Sequence, residues 1–422
     1  MGVIENLLRD IPLPRLVRVE QCFDEVFLKD PLQALWEGLQ LREIRESVKP
    51  GMEIAIAVGS RGVDQVAEIT TEVVRYLKNL GANPFIVPAM GSHGGATAEG
   101  QEAVLRHLGV TAESTGVEIR SSMEVLRIGT LANGLPVYVD KYAAQADGIV
   151  PINRVKPHTA FRGPVESGLM KMLAIGLGKQ KGAEAVHQMG FKYMADNVPA
   201  AANVILENLP VLFGVATVEN AFDRVYEIAV VPARHIAARE PELLQKAKEL
   251  MPRLYFDNID VLVIDEIGKN ISGDGMDPNI TGRYPTPYAQ GGPEVNKMVV
   301  LDVTQASEGN ANGVGTADFT TRRLIDKMDR EKTYANGLTS TVVAPTKIAT
   351  YLESDREAIQ AAIKTANILD FRQVRLVRIK NTLSLKTIEV SEALLPEVER
   401  HPMLKVISEP YNMKFDEQGN LF

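Results

Sequence analysis

The stretch MEIAIAV (residues 52–58), followed by VDQVAEITTEVVRYLKNLG (63–81) and NPFIVPAM (83–90), decides the fold class. The first and third pieces are short apolar runs, which is typical of strands that are buried on both faces of a sheet. The second piece has apolar residues at helical spacing and ends at a glycine. Strand, helix and strand in this order predict a βαβ unit, and therefore an α/β fold with mainly parallel sheets.

The same alternation continues along the chain. The segment 96–109 predicts another helix, and DGIVPI (147–152) predicts another buried strand. A stretch with a proline and mixed charge at 251–260 then precedes a renewed β pattern. Because 422 residues exceed the usual size of a single core, we expect two domains. We place an N-terminal α/β domain at 1–253 and a C-terminal α/β domain at 254–422, with the active site in the cleft between them.

Composition narrows the class of ligand. The net charge of -8 and the absence of a basic block argue against nucleic acid and anionic membranes as partners. Cys22 is the only cysteine, so a disulfide framework and a cysteine-rich metal site are excluded. Charged residues lie too early in the N-terminal segment for a signal peptide, and no stretch approaches the length of a membrane span. We expect a soluble, cytoplasmic protein with a small-molecule ligand, and a homo-oligomer is left open.

Two glycine-rich loops follow the predicted strands, GSRG at 59–62 and MGSHGGAT at 90–97. In parallel α/β folds, ligands bind outside the carboxyl ends of the strands, and glycines allow the backbone to approach a ligand closely. The guanidinium of Arg61 could hold a carboxylate through two hydrogen bonds. A surface arginine at a helix start is the alternative.

Three histidines and one lysine could form a polar pocket. His93 lies in the second glycine-rich loop, His158 follows a predicted strand, and His187 lies in a predicted helix. Imidazoles act as general bases near neutral pH and as metal ligands. Lys171 stands in the apolar run LMKMLAIG, where an ammonium group needs either solvent or a specific partner. The alternative is that each histidine is simply hydrogen-bonded in a loop, and the lack of an H-E-x-x-H motif disfavours a simple zinc hydrolase.

The loop GKNISGDGMDPNITGRY (268–284) of the second predicted domain offers Asp277, Asn279 and Arg283. We expect it to close the active site from the other side. The alternative is a turn that is rich in Gly, Asn and Asp because these residues tolerate unusual backbone angles.

Five motifs in order along the chain resemble the nickel-dependent lactate racemase family: VGSRG, MGSHGGATAEGQ, KPH with its downstream lysine, AVHQMG and GMDPNITG. Members of that family interconvert the stereoisomers of 2-hydroxy acids. The resemblance implies a nickel ion held by a pincer-shaped pyridinium nucleotide, which is attached to a lysine through a thioamide. It also implies partner proteins that synthesise this cofactor.

The resemblance assigns a role to each candidate residue. It implies that Lys171 carries the cofactor and that His187 completes the nickel coordination. It further implies that His93 and His158 flank the substrate as general bases, and that Arg61 grips its carboxylate. The remaining expected contacts are those of Gly94, Gly95, Asp277 and Asn279 with the cofactor and of Arg283 with the substrate.

A racemase or epimerase that inverts C2 of a 2-hydroxy acid is therefore our leading hypothesis. The hydrogen at C2 is barely acidic, so a hydride acceptor provides an easier route than a base alone. The alternatives are a lyase or dehydratase that uses a simple divalent metal, and a sugar-acid binding protein that performs no turnover.

Overall fold

The computed structural model describes residues 2–60 and 62–422, and the chain divides into two compact units. The central unit is Asp24–Met251. The terminal unit combines the chain up to Phe23 with Pro252–Phe422. The first 23 residues thus group with Pro252–Phe422, and the division into domains at 1–253 and 254–422 stays a prediction.

Within the described residues the strands are, in chain order, β1 (Leu16–Gln21), β2 (Glu53–Val58), β3 (Asn83–Pro88), β4 (Val125–Thr130), β5 (Pro136–Asp140), β6 (Gly148–Arg154), β7 (Phe213–Glu219), β8 (Val225–Pro232), β9 (Asn258–Ile267), β10 (Glu294–Val303), β11 (Phe319–Thr321), β12 (Thr350–Leu352), β13 (Leu376–Ile379), β14 (Thr387–Ser391) and β15 (Leu404–Val406).

The helices of the same residues are α1 (Val3–Leu8), α2 (Pro31–Leu39), α3 (Arg42–Ser47), α4 (Val66–Asn79), α5 (Ala98–His107), α6 (Ala112–Thr115), α7 (Lys141–Gln145), α8 (Leu169–Lys171), α9 (Lys179–His187), α10 (Met194–Asn208), α11 (Ile236–Leu250), α12 (Pro278–Thr281), α13 (Arg322–Lys327), α14 (Arg330–Ser340), α15 (Asp355–Thr365) and α16 (Leu395–Val398). A π-helical segment, Met172–Gly176, lies between α8 and α9. None of the helices in the described part of the chain has both the length and the apolar character needed to cross a bilayer.

The central unit contains a sheet with the strand order β3-β2-β6-β7-β8. All neighbours in it are parallel except β7 and β8. The helix α4 packs on this sheet because Ile69, Val73 and Leu77, each four residues apart, form one buried apolar stripe. These features confirm the predicted α/β class with mainly parallel strands.

The order of the central sheet determines where the candidate loops lie. Strand β2 pairs with β3 on one side and with β6 on the other, and Val58 at its end is in register with Pro88 and Ile152. The chain leaves these three neighbouring strands into the loops that contain Ser60, His93 and His158. The sheet therefore delivers three of the predicted loops to one edge.

The terminal unit is built on a larger sheet with the order β12-β11-β10-β9-β13-β14-β1-β15. Its strands from β12 to β13 are parallel to their neighbours, whereas β14, β1 and β15 pair in antiparallel fashion. Since β1 lies between β14 and β15, its backbone hydrogen bonds hold the first residues of the chain in this sheet. This pairing is the physical reason why the N-terminal segment joins the C-terminal part.

Replacing Val19 by alanine should destabilise the terminal unit selectively. Val19 is fully buried at the centre of β1, in register with Ile388 and Val406, so its truncation should cost about 2 kcal/mol. Hydrogen exchange followed by mass spectrometry should show weaker protection in β14 and β15 and unchanged protection in β2 and β6. Val3→Ala is the matched control, because Val3 is 78% exposed and its truncation should change stability by less than about 0.5 kcal/mol. Equal loss of protection in both units would contradict the assignment of β1.

Candidate active site

A contact between side chains joins the loops that follow β2 and β3. The hydroxyl of Ser60 lies 2.6 Å from Nδ1 of His93. When the His93 Nδ1–H donates to this hydroxyl, the ring keeps an unprotonated Nε2 that can accept a proton. Arg61, the residue expected to grip the carboxylate, lies outside the described residues, and its role stays a prediction.

The loop around His93 depends on glycine. Gly94 and Gly95 have left-handed backbones, with φ of +65° and +64°, a conformation that other residues adopt at a cost. A Cβ on Gly94 would lie 2.6 Å from the backbone nitrogen of Gln101, whereas a Cβ on Gly95 would meet no atom within 4 Å. The amide of Gln101 also donates to the carbonyls of Gly91 at 2.8 Å and His93 at 3.3 Å. The loop is thus held at its base and open at Gly95.

His158 is held by its backbone and by its ring. Its N–H donates to a carboxylate oxygen of Glu166 at 2.7 Å, and Lys248 donates to the other oxygen of this fully buried group at 2.8 Å. The N–H of Ala160 donates to Nδ1 of His158 at 3.0 Å. Because Nδ1 accepts this bond, a neutral His158 carries its proton on Nε2.

Lys171 and His187 lie on two successive helical segments that are separated by a turn at residues 177–179. Lys171 ends α8, the π-helical segment follows it, and His187 ends α9. Burial lowers the pKa of His187, a hydrogen bond to the carbonyl of Ala183 opposes this effect, and the charge of Lys171 lowers the pKa further. The lysine is therefore close enough for its charge to act on the imidazole, and the imidazole is neutral near pH 7.

The hydrogen bond of His187 also selects its tautomer. Nδ1 lies 2.6 Å from the Ala183 carbonyl oxygen, which can only accept, so Nδ1 carries the proton. The lone pair of Nε2 is then directed away from this bond and is suited to a metal ion. Sequence reasoning had placed His187 in a helix but had no means of assigning its tautomer.

An aromatic side chain connects two of the predicted histidines. The ring centroid of Phe191 lies 5.4 Å from that of His187 and 6.1 Å from that of His158. Phe161 packs on His158 with a centroid distance of 4.5 Å. The structure thus brings His158 and His187 to one aromatic cluster.

Glu240, which sequence reasoning missed, supports the start of α8. Its side chain is only 1% exposed, and its Oε2 accepts a hydrogen bond from the N–H of Met170 at 2.9 Å. Burial raises the pKa of Glu240 to about 7, against the effect of backbone hydrogen bonds from Met170 and Leu169. From the other side, the amide of Asn153 donates to the carbonyl of Gly168 at 2.9 Å. The residue that precedes Lys171 is therefore fixed by a buried carboxyl group.

A second buried carboxyl group, also missed, fixes the end of the loop after β2. Oε1 of Glu219 accepts a hydrogen bond from the N–H of Asp64 at 3.0 Å, and its Oε2 lies 2.5 Å from Nη1 of Arg154. Burial raises the pKa of Glu219 to about 7, while the charge of Arg154 lowers it. No local sequence signal marks Glu240 or Glu219, since each contacts a segment that is distant along the chain.

The other candidates lie in the terminal unit. Asp277 caps α12, and its Oδ1 accepts hydrogen bonds from the backbone and side-chain nitrogens of Asn279 at 2.9 and 2.8 Å. The guanidinium of Arg283 donates to the Val295 carbonyl at 3.0 Å and to Asp318 at 2.9 Å. A substrate carboxylate would have to compete with these contacts, and the roles expected for the three residues remain predictions.

The donor set around His187 limits what could hold a metal ion. Among residues 2–60 and 62–422, no three His, Cys, Asp or Glu side chains are grouped as a metal site. His187 could supply Nε2 as one ligand of a metal ion, and the other ligands would have to come from a bound group.

Comparisons with known proteins agree with the geometry. The lactate racemase N-terminal domain family matches residues 29–197, a range that includes His93, His158, Lys171 and His187. Among curated proteins, none matches this chain. Among solved structures, the chain is similar to the lactate racemase apoprotein from Thermoanaerobacterium thermosaccharolyticum, with a TM-score of 0.52 and 12% sequence identity over 88% of this chain and 99% of that one. Because the sequence identity is only 12%, this similarity shows the fold alone.

The contrast between two adjacent glycines tests the described loop. Gly94→Ala and Gly95→Ala both place a side chain on a left-handed backbone, at about 1 kcal/mol each. Only the first also drives a methyl group into the backbone of α5, so it should lose about 1 to 3 kcal/mol more. Chemical denaturation of both variants measures the difference, and equal stabilities would contradict the described loop conformation.

The raised pKa of Glu240 predicts a pH-dependent gain in stability for Glu240→Gln. The folded-state pKa of about 7 exceeds the ordinary value of 4.5, so the stability contributed by this carboxyl is complete below pH 4.5 and is lost as the pH rises through 7. Glutamine stays neutral, and the variant should exceed the wild type by up to about 3 kcal/mol at pH 8.5 and match it near pH 5.

Thermal unfolding at the two pH values measures this effect. Glu242→Gln is the matched control, because Glu242 lies on the same helix with its side chain 65% exposed and should show no comparable pH dependence. A difference between Glu240→Gln and the wild type that is the same at both pH values would exclude a buried, neutral Glu240.

Proposed function

We propose that this chain inverts the C2 centre of a 2-hydroxy acid with a nickel-pincer nucleotide, because residues 29–197 match the lactate racemase N-terminal domain family. We assign the cofactor to Lys171 and its nickel ligand to His187. The observation that carries this proposal is the imidazole of His187, whose Nδ1–H is fixed by the Ala183 carbonyl so that Nε2 is left for a metal ion.

Acylation of Lys171 would remove the positive charge that its ammonium group places among apolar side chains. The residue follows two buried apolar side chains, Leu169 and Met170, and precedes the buried Met172. A thioamide at its Nζ carries no charge, so it removes both the desolvation cost of an ammonium group and its repulsion of a metal ion at His187. When bound, the nickel-pincer nucleotide supplies a reversible hydride acceptor for the hydrogen at C2.

We assign proton handling to the two other histidines. In the tautomer whose Nδ1–H donates to Ser60, His93 can take the hydroxyl proton of the substrate at Nε2. His158 presents Nε2–H, so it can donate a hydrogen bond to the substrate oxygen from its own side. To serve as the base for the opposite enantiomer, the ring of His158 must release the Ala160 N–H. The two histidines thus begin the reaction in different protonation arrangements, and each can contribute about 10² to 10⁴ in rate.

The substrate must also be oriented. A planar 2-keto acid that forms at C2 has to present its opposite face before the hydrogen returns, while its carboxylate stays fixed. We assign the carboxylate to Arg61, whose planar guanidinium suits two-point binding. The loop of the terminal unit that contains Asp277 and Asn279 is assigned to the cofactor, and Arg283 to the substrate, on the family resemblance.

The direct test follows a deuterium atom at C2. Protein produced together with the cofactor-biosynthesis proteins is incubated with single enantiomers of C2-deuterated 2-hydroxy acids, and the products are separated by chiral chromatography and analysed by mass. We expect conversion to the opposite enantiomer with deuterium retained at C2, because the hydrogen leaves and returns without exchange with water. His93→Ala and His158→Ala should each lower the rate by about 10² to 10⁴.

One variant serves as the control, and three results would contradict the proposed reaction. His107→Ala, at an exposed position on α5, should turn over at the wild-type rate. Loss of the label to water would indicate a reaction by proton transfer alone, and an unsaturated or dehydrated product would indicate a lyase. Tight binding of the acid without any turnover in the loaded protein would favour a binding protein.

A further inference from the structure

We propose that Lys179, Gln101 and Asp140 form a buried clamp that positions His93 relative to the helical segments between Lys171 and His187. The choice of His93 as a reacting group rests on the proposed function, whereas the clamp itself rests on contacts within the central unit. Lys179 and Gln101 are positioning residues, since neither is assigned to touch the substrate or the cofactor.

Lys179 is the anchor of the clamp. Its side chain is fully buried, as are those of Asp140 and Gln101. Its Nζ lies 3.3 Å from Oδ2 of Asp140, in an ion pair, and donates hydrogen bonds to Oε1 of Gln101 at 3.0 Å and to the carbonyl of Pro88. One ammonium group therefore ties together the ends of β3 and β5 and the start of α5.

Gln101 connects Lys179 to the loop that contains His93. Its Oε1 accepts from Lys179, while its Nε2 donates to the carbonyl oxygens of Gly91 and His93 at 2.8 and 3.3 Å. The side chain at this position must accept one hydrogen bond and donate two, because Lys179 can only donate and the two carbonyls can only accept. Glutamine meets this requirement, and neither a carboxylate nor an apolar side chain of the same length does.

Two backbone hydrogen bonds cross between the same segments. The N–H of Gly91 donates to the carbonyl of Gly176 at 3.1 Å, and the N–H of Asp140 donates to the carbonyl of Leu177 at 2.7 Å. Lys179 itself has a left-handed backbone, with φ of +53°, which is uncommon for a residue with a side chain. Its conformation turns the chain from the π-helical segment into α9 and directs the amine into the interior.

The ion pair explains why the clamp is rigid. Burial lowers the pKa of Lys179 and raises that of Asp140, while the attraction between the two groups opposes both shifts. Removing either charge would leave its partner uncompensated in the interior, which is strongly unfavourable. Gln101 is the safer residue to alter, because its replacement leaves the ion pair in place.

Burial also distinguishes Lys171 from Lys179. Lys171 is half-buried and lies close to His187, whereas Lys179 is enclosed and holds three partners. An acyl group on Lys179 would break the ion pair and the hydrogen bond to Gln101. The clamp thus requires that Lys179 remain an unmodified ammonium group.

The test compares Gln101→Met and Gln101→Glu with the control Gln245→Met. Methionine matches the length of glutamine without hydrogen bonds, and glutamate keeps the acceptor for Lys179 but places a carboxylate against the carbonyls of Gly91 and His93. Gln245 is exposed on α11, and its side chain donates a hydrogen bond to that of Glu249 at 2.8 Å. Circular dichroism verifies that each variant is folded.

The first readout does not need the cofactor. In protein labelled with ¹³C and ¹⁵N at histidine, the ring signals of His93 are identified by their loss in His93→Ala. Both Gln101 variants should shift or broaden these signals and leave those of His107 unchanged, while Gln245→Met should alter neither. The second readout is turnover of the loaded protein, where kcat of both Gln101 variants should fall by about tenfold to 100-fold with KM changed much less, since only the placement of a reacting group is affected.

The outcomes separate the clamp from the proposed function. Folded Gln101 variants with an unshifted His93 ring signal would overturn the clamp, whatever the activity. An inactive loaded wild type with shifted His93 signals in the variants would retain the clamp and overturn the proposed reaction. If Gln101→Met alone fails to fold, Gln101→Glu decides, because it keeps the hydrogen bond to Lys179.

Discussion

The parallel pairing of β2 with β3 and β6 is the constraint on which the candidate site depends. With Val58 in register with both Pro88 and Ile152, three neighbouring strands end at the same level. The loops that follow these strands therefore begin at the same edge of the sheet. The hydrogen bond between Ser60 and His93 joins two of these loops directly. The helical segments from Lys171 to His187 then add the lysine and the third histidine.

Ionisable groups are buried around this edge at a considerable cost in free energy. Glu166, Glu240 and Glu219 each bind the backbone of a different loop or helix start, and Lys179 holds the fourth connection through Gln101. Buried ionic groups seldom add to stability compared with apolar packing, but they fix geometry because each lost partner leaves an unpaired charge. The reaction that we propose would require His93, His158 and His187 to stay in place, and this requirement would account for such a cost.

The sequence was informative where its signals are local. Periodicity and glycine placement predict the strands β2 and β3 and the helix α4 between them, and these features are present. The resemblance of the five motifs led to the family that the matched domain supports. Periodicity could not predict that β1 belongs to the larger sheet. This strand pairs with β14, which lies some 370 residues away, and such long-range register leaves no local signal in the sequence. The buried carboxyls were missed for the same reason, and the roles of Arg61, Asp277, Asn279 and Arg283 stay predictions.

The central claim is that Lys171, next to His187, is the point at which the cofactor is attached. Intact mass and peptide mapping of protein made together with the cofactor-biosynthesis proteins, combined with nickel analysis, test it most directly. We expect a mass increment confined to the peptide that contains Lys171, about one nickel per chain, and loss of nickel but not of the increment in His187→Ala. An active protein with an unmodified Lys171, or with its increment on Lys179, would contradict it.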